Sequence, residues 1–316
     1  MSSEKFFNTK KAFITLIAAS LVVIVSLGIR QTFGLFFFDF NADLNISISH
    51  FGFVIGLQLL MWGVFSPIFG FITDRYGGAT AIFVGFLFYL AGLFLFYSGL
   101  NTGYLFTLTI GLLIGIGLGG TAISIPVSVV AKHFPSSNRT IATGIVTCAG
   151  SFGFFVSPLL VRYSLIEIGW EITILYFCFL LGIGLITALF ISTPKTPVGN
   201  NDNNNQTAKE ALIEAFNNKS FIFLTLGFFV CGWHIALVAT HIPTYMMDRG
   251  MPDWTAAMIL ALVGVFNMIG TMGSGYLATK FSKKKVLSAI YLLRGDSLIY
   301  FLYLPPSICL LYTSDA

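Results

Sequence analysis

The sequence predicts an all-α protein that crosses a lipid bilayer many times. Charged residues make up only 9% of the 316 residues, against about 25% in an average soluble domain. The mean hydropathy is +0.87, and the apolar residues form long unbroken runs rather than the alternating segments of about ten residues typical of a membrane β-barrel. This composition excludes a soluble enzyme, a disordered chain and a nucleic-acid-binding module, because so few charges could not keep a globule of this size in solution.

Nine apolar runs are long enough to cross a bilayer, which takes about 20 residues. They are called spans one to nine and lie at 12–38, 51–73, 79–98, 104–131, 140–162, 170–192, 219–246, 254–278 and 286–311. Span one follows several lysines, as a signal peptide would. It is too long for a signal-peptide core, has no clear small-residue cleavage site and contains Arg30, so we expect it to be retained.

One polar stretch, residues 193–218, divides the nine spans into six and three. Its Asn-rich part predicts a flexible linker, and residues 208–216 resemble a short amphipathic helix on the membrane surface. The sequence therefore predicts an N-terminal six-helix bundle over 1–192, a cytoplasmic linker over 193–218 and a partial C-terminal bundle over 219–316.

Lysine and arginine predict the orientation of the chain in the membrane. If the N-terminus is inside, the outer loops hold only Arg162 and Arg249. The inner loops then hold Lys5, Lys10, Lys11, Arg75, Lys132, Arg139, Lys195, Lys209, Lys219, Lys280, Lys283, Lys284 and Lys285. This asymmetry predicts a multi-pass protein of the cell (inner) membrane with a cytoplasmic N-terminus.

The two halves of the chain repeat one another. Residues 70–77 close span two with G-F-I-T-D-R-Y-G, and residues 275–282 close span eight with G-Y-L-A-T-K-F-S. The shift is 205 positions (275 against 70), and the same shift relates Asp43 to Asp248, each in the loop after the first helix of its half. Internal repeats of this kind are typical of transporters.

At these residues the sequence resembles the major facilitator superfamily. The run over 70–77 matches that family's G-x-x-x-D-R-x-G loop between spans two and three, and R-T-I-A-T-G at 139–144 resembles the start of its fifth span. Three further stretches, at 28–36, 241–250 and 286–295, look like the bacterial monocarboxylate-porter-like branch. The resemblance implies two six-helix bundles, alternating access and transport of a small organic acid.

The chain departs from the family pattern in length and in its second loop. Twelve spans need about 400 residues, so we expect a C-terminally truncated member that lacks half of its second bundle. In the second copy of the loop, Thr279-Lys280 stands in place of the Asp-Arg pair, so we expect this copy to hold its neighbouring helices more weakly.

Arg30 is the first candidate for binding a substrate. It lies in the outer half of span one, where a charge is costly and by default functional. A guanidinium can hold a carboxylate through two hydrogen bonds, and spans one to eight contain no deeply placed acid to neutralise it. We therefore expect Arg30 to face a central cavity and attract an anion, with snorkelling or bonds to carbonyl groups as alternatives.

Three other polar residues are candidates for the same cavity. His234 lies midway along span seven and, shifted by 205, falls one residue from Arg30; it can bond a carboxylate, carry a proton or simply pack. Gln58 and Asn267 either bind substrate or bond neighbouring helices, and we slightly favour the second role. For Arg294, midway along span nine, a bond to carbonyl groups or to a residue in the missing part is favoured over substrate contact.

The resemblance also implies a gating loop on the inner side that clamps neighbouring helices and stabilises the outward-facing state. Asp74 would be stabilised near a helix N-terminus, and Arg75 would pair with a carboxylate or with carbonyl groups. Gly70 suits close packing, Gly77 suits a turn, and Lys280 is the counterpart in the second half. An ordinary loop rich in positive charge is the alternative.

The predicted function is secondary active transport of a small organic anion, with a monocarboxylate as the first candidate. Proton symport or anion exchange would supply the energy. The alternatives are efflux of a drug-like compound and a non-transporting membrane sensor. We expect no enzyme, catalytic residue, metal site or cofactor, because the sequence contains no nucleophile–base pair or metal cluster. The expected partners are the substrate anion, protons and the bilayer, without nucleic acid, and the expected state is a monomer.

Overall fold

The structure, a computed structural model, describes residues 10–99, 103–191, 213–214 and 216–303, and every regular element in these ranges is a helix. A helix satisfies its own backbone N–H and C=O groups, which lipid cannot do. The predicted all-α membrane fold class is confirmed.

Spans one to three are helices joined by short turns. Span one runs through Lys10–Gln31, a 3-10 turn at Phe33–Phe36 and Phe37–Leu44. Spans two and three are Ile48–Tyr76 and Gly78–Tyr97. They meet at Gly77, whose φ of +95° turns the chain sharply at the predicted position.

Spans four to six contain an irregular segment and a bend. Span four consists of Gly103–Phe106, a π-helical segment at Thr107–Leu113, Ile114–Thr121 and Ser124–His133. Spans five and six form one continuous run of 53 residues, Ser136–Ala188, that bends at Gly169 (φ +78°). A straight helix of that length would be about 80 Å long, against a hydrocarbon core of about 30 Å, so the run crosses the membrane twice.

The second half contributes three spans. Span seven consists of Lys219–Ala236, a π-helical segment at Leu237–His241 and Ile242–Asp248, span eight is Asp253–Lys280, and span nine is Lys283–Tyr303. In the described part of the chain, seven helical segments are long and apolar enough to cross a membrane. Spans five and six count as one of these seven, and span nine is not among them. The domain division stays a prediction, because most of the linker lies outside the described residues.

An aromatic cluster holds the first bundle together on the side away from the lysines. The Phe40 ring is its centre, with the neighbouring ring centroids 5.3–6.5 Å away. These neighbours are Phe36, Phe51, Phe96, Phe106 and Trp170. The Trp170 indole N–H also donates to the Asp43 carboxylate over 2.6 Å, which joins the two ends of the bundle's sequence.

Span four lies in a groove between spans two and three. A Cβ at Gly115 would approach the Gln58 carbonyl oxygen to 2.7 Å, and one at Gly117 would approach the Gly85 carbonyl oxygen to 2.7 Å. Only residues without a side chain allow helices to pack this closely. Span four therefore fills the groove completely.

The internal repeat extends to individual contacts. In the first half the Tyr89 hydroxyl donates to the Ser26 carbonyl oxygen over 3.4 Å, which links span three to span one. In the second half Arg294 Nη1 donates to Cys231 Sγ over 2.9 Å, which links span nine to span seven. Both residues of the second pair lie 205 positions after those of the first, so the two halves pack alike.

Candidate functional site

The two halves touch backbone to backbone at two glycines. A Cβ at Gly34, in the 3-10 turn of span one, would lie 2.4 Å from the carbonyl oxygen of Ala239 in the π-helical segment of span seven. A Cβ at Gly264 in span eight would lie 2.4 Å from the backbone nitrogen of Phe155 in span five. Any larger residue would force the halves apart at these points.

Both contacts lie on the same side of the membrane, away from the lysine-rich ends of the spans. Gly34 is in the last third of span one, and Gly264 is in the half of span eight that begins at Asp253. Towards the lysine-rich ends the packing is looser. Gly144 lies two helical turns before Ser151 on the same face of span five, and no atom of another described segment lies within 4 Å of a Cβ there. The halves are thus in close contact at Gly34 and Gly264 and less closely packed around Gly144.

A cavity of about 740 Å³ extends from Gln31 to Lys285 at the lysine-rich end of span nine. Spans seven, eight and nine form most of its wall, and Gln31 and Phe154 contribute from the first half. Its ionisable lining residues are His234, Lys285 and Arg294, and the described lining contains no Asp or Glu. The cavity therefore has a positive potential that favours anions.

The repeat divides this cavity into two regions. In the first half, span four packs against Phe69, Gly85 and Tyr89. The residues 205 positions later are Ser274, Ile290 and Arg294. The first region is the matching groove in the second half, and no helix within the described ranges fills it. The second region lies at the boundary between the halves and is lined by Gln31, Phe154, His234 and Asn267. This second region is the candidate site.

Arg30 lies beside the cavity rather than in its wall. It is 4% exposed, and it is not among the residues that line the cavity. Neither Nε nor Nη2 has a hydrogen-bond partner among the described residues. The next residue, Gln31, lines the cavity although no sequence pattern indicated it, and the role of Arg30 in binding substrate stays a prediction.

His234 and Asn267 line the cavity, and a role in binding substrate stays a prediction for both. His234 is half-buried, and its Nδ1 has no partner in the described part of the chain. Asn267 Nδ2 donates to Ser151 Oγ over 3.1 Å, so it also joins span eight to span five. Arg294 reaches span seven at Cys231, one helical turn before His234, which brings its charge to the junction of the two cavity regions.

Gln58 has the helix-bonding role that the sequence favoured. It is fully buried, and Nε2 donates to the Ile110 carbonyl oxygen over 3.0 Å. That carbonyl lies in the π-helical segment of span four. Gln58 does not line the cavity, which argues against a direct contact with substrate.

The predicted gating loop forms an ion pair that the sequence did not indicate. Asp74 is in the last turn of span two, and its Oδ1 lies 2.7 Å from Lys132 Nζ in the last turn of span four. Arg75 lies over the ring of Tyr76, with its Cζ 5.6 Å from the ring centroid, rather than on a carboxylate. The clamp therefore joins spans two and four within the first half.

The remaining gating candidates differ in what they contact. A Cβ at Gly70 would meet no atom within 4 Å, so the close packing expected there is absent from the described surroundings. Lys280 Nζ lies 4.7 Å from the centroid of the Tyr276 ring. Among the described residues, no three His, Cys, Asp or Glu side chains converge as metal ligands would.

Comparison with known proteins agrees with this architecture. A sequence model of the Major Facilitator Superfamily matches residues 18–314. The crystal structure of a D-xylose–proton symporter superimposes with a TM-score of 0.70 over 96% of this chain and 79% of that chain, at 15% identity.

Two curated relatives are similar in sequence. An agnestins efflux protein of Paecilomyces divaricatus is 24% identical over 91% of this chain and 65% of its own length. A hexuronate transporter of Bacillus subtilis is 23% identical over 83% of this chain and 63% of its own length. The chain thus spans slightly less than two thirds of each relative.

Proposed function

The chain belongs to the major facilitator superfamily, and we propose that the protein moves a small organic anion, with a monocarboxylate as the first candidate, across the membrane by alternating access. Energy would come from proton symport or from anion exchange. The proposal rests on the chemistry of Arg30 and of the cavity beside it.

The unpaired guanidinium of Arg30 is the observation that carries the proposal. A buried charge without a partner is strongly unfavourable, and Nε and Nη2 both lack a partner within the described chain. These two groups lie on one edge of the guanidinium, where their N–H bonds match the two oxygens of a carboxylate. An anionic substrate would supply the missing partner in a state of the transport cycle that opens Arg30 to the cavity, since Arg30 lies outside the cavity wall here.

The cavity supports the same class of substrate. Its basic lining residues Lys285 and Arg294 would attract an anion from the lysine-rich side. The lysine distribution predicts that this side is cytoplasmic, which would make this an inward-facing state. His234 lines the cavity, and a histidine can exchange a proton near neutral pH. It is therefore the candidate for proton coupling.

The relatives support two kinds of substrate. A hexuronate is a carboxylate, so the hexuronate transporter agrees with the anion proposal. The efflux protein favours the alternative, export of a larger organic compound, and the apolar walls of the cavity would suit such a molecule. A neutral amide analogue separates the two, since it should bind poorly if the site requires a carboxylate.

The test is carboxylate binding to full-length protein with substitutions at Arg30. Arg30→Lys keeps the charge but loses the two-donor edge, and Arg30→Gln loses both. Removing a charge-assisted hydrogen bond costs about 1.5–3 kcal/mol, or about ten- to a hundred-fold in affinity. We expect the affinity to fall from wild type to lysine to glutamine.

Arg249→Gln is the matched control, because Arg249 lies in a loop against the Tyr245 ring and should not affect binding. If folded Arg30→Gln binds the carboxylate as tightly as wild type, Arg30 is structural and the anion proposal loses its main support.

A further inference from the structure

The turn between spans eight and nine concentrates positive charge. Lys280 is the last residue of span eight, and three consecutive lysines, residues 283–285, begin span nine. These four lysines are called the basic turn. Between Asp253 and Asp296 the sequence has no acidic residue, so no carboxylate of these two spans lies near enough to neutralise the turn.

The internal repeat shows that the first half builds the same turn differently. Shifted by 205 positions, Thr279-Lys280 corresponds to Asp74-Arg75, and residues 283–285 correspond to G-A-T at 78–80. The first turn therefore has one acid and one base, and its acid pairs with Lys132 of span four over 2.7 Å. The second turn has no acid and three more lysines. The anion that the first half supplies from its own chain is missing from this turn.

The basic turn is open to its surroundings at the boundary between membrane and water. Lys280 and Lys284 are exposed, and Lys280 Nζ lies 4.7 Å from the centroid of the Tyr276 ring, which is itself exposed. A tyrosine and a lysine at the end of a span are typical of the headgroup layer. Within the described ranges, Lys280, Lys284 and Lys285 form no ion pair. Their charge is thus available to an anion outside these ranges.

A lipid headgroup suits this position better than a soluble anion. The lysines end two membrane-spanning helices, so they lie level with the headgroups, which are confined to that plane and meet the turn at a high local concentration. We propose that the basic turn binds the phosphate of an anionic phospholipid in the leaflet on the lysine-rich side. This phosphate takes the place that the Asp74 carboxylate has in the first half.

The test measures which lipid lies beside the turn. Full-length protein with its native cysteines replaced carries a donor dye on Ser288→Cys, at an exposed position one helical turn after Lys284. It is placed in phosphatidylcholine vesicles that contain either phosphatidylglycerol or phosphatidylcholine with an acceptor dye on the acyl chain. Energy transfer reports the relative affinity of the two lipids, and we expect a preference for phosphatidylglycerol.

Removing two lysines should weaken this preference. Lys280→Gln combined with Lys284→Gln changes two exposed residues that do not line the cavity. A lysine near an anionic surface contributes about fivefold in affinity, so the preference should fall by up to about 25-fold. The matched control is Lys10→Gln combined with Lys11→Gln, which removes the same charge from the exposed start of span one and should leave the preference unchanged.

Thr279→Asp tests the comparison with the first half. It restores a carboxylate at the counterpart of Asp74, and neutralising one lysine should lower the preference about fivefold. Labelling of Asn203→Cys from the cytoplasmic side verifies that each variant keeps its topology.

Four results would overturn the proposal. These are no preference in wild type, an unchanged preference in the correctly inserted lysine variant, or an equal loss in the control at span one. The fourth is loss of the preference in inorganic phosphate at an ionic strength matched with KCl, which would assign the turn to a soluble anion. An unchanged preference in Thr279→Asp would refute the equivalence with Asp74.

Discussion

Replacing Gly34 by alanine should weaken the contact between the two halves. The new Cβ would lie 2.4 Å from the Ala239 carbonyl oxygen and 3.4 Å from the Thr240 Cα. A carbon and an oxygen in contact sit about 3.3–3.6 Å apart, so spans one and seven must separate by about 1 Å. Overpacking of this kind costs about 1–3 kcal/mol, which disfavours the closed contact by about 5- to 150-fold.

The shift can be measured by thiol labelling in vesicles that contain the full-length protein with its native cysteines replaced. Thr240→Cys reports on the contact, because Thr240 is buried beside Ala239. Ser274→Cys reports on the cavity. In the Gly34→Ala background, labelling of Thr240→Cys from outside should rise in proportion to the opened population, and labelling of Ser274→Cys from inside should fall.

Gly232→Ala is the matched control. It makes the same substitution in span seven, where the described part of the chain places no other segment within 4 Å of the new Cβ, so both reporters should label as in the parent protein. If Gly34→Ala is folded and labels as Gly232→Ala does, the glycine contact does not seal the protein. If Gly34→Ala fails to insert, Gly264→Ala tests the same reasoning at the second contact, where the Cβ would lie 2.4 Å from the Phe155 nitrogen.

Three further predictions concern topology, the clamp and the turn after span two. Asn203→Cys should react with an impermeant thiol reagent only from the cytoplasmic side. Ser49→Cys, at an exposed position, should react only from outside. The reverse pattern would contradict the predicted orientation. Asp74→Asn breaks the ion pair between Asp74 (73% exposed) and Lys132 (39% exposed). Because the pair is exposed, we expect the free energy of unfolding to fall by only about 0.2–1 kcal/mol, while transport becomes slower. Unchanged turnover would mean that the loop has no gating role. Gly77→Ala places a side chain at φ +95° and should lower the Tm by destabilising the fold by about 1–3 kcal/mol; an unchanged Tm in detergent would contradict this.

Much of the fold could be predicted from hydropathy. The nine predicted spans correspond to helices, with spans five and six merged across Gly169, because apolar segments of this length must satisfy their backbone groups internally in lipid. The repeat of 205 positions was also visible in the sequence, and the Tyr89–Ser26 and Arg294–Cys231 contacts extend it to side chains. The hydropathy pattern does not indicate the π-helical segments or the 3-10 turn.

The candidate site was predicted less completely. His234 and Asn267 line the cavity, and Asn267 also bonds span five, because a polar residue midway along a span usually faces another helix or a cavity. Gln31 was missed although it adjoins Arg30. The sequence indicates that both residues lie deep in span one, but which of two neighbours faces the cavity depends on how the helix is rotated and where it ends.

The ion pair of Asp74 with Lys132, at the lysine-rich end of the spans, was likewise not predictable from the sequence. The sequence placed Asp74 in a loop signature beside Arg75, and the nearest candidate partner was therefore local. The partner in the structure is 58 positions away in sequence, at the end of span four, and only the packing of spans two and four brings the two charges together.

The sequence by itself determined the class of protein, the order of the helices and the repeat, because these depend on composition and on patterns along one dimension. The tertiary structure decided which polar groups meet. Helix rotation, the close approach allowed by Gly34 and Gly264 and the end of the first helix at Gln31 together set the boundary of the cavity. These features arise from contacts between distant parts of the chain, and no local pattern encodes such contacts.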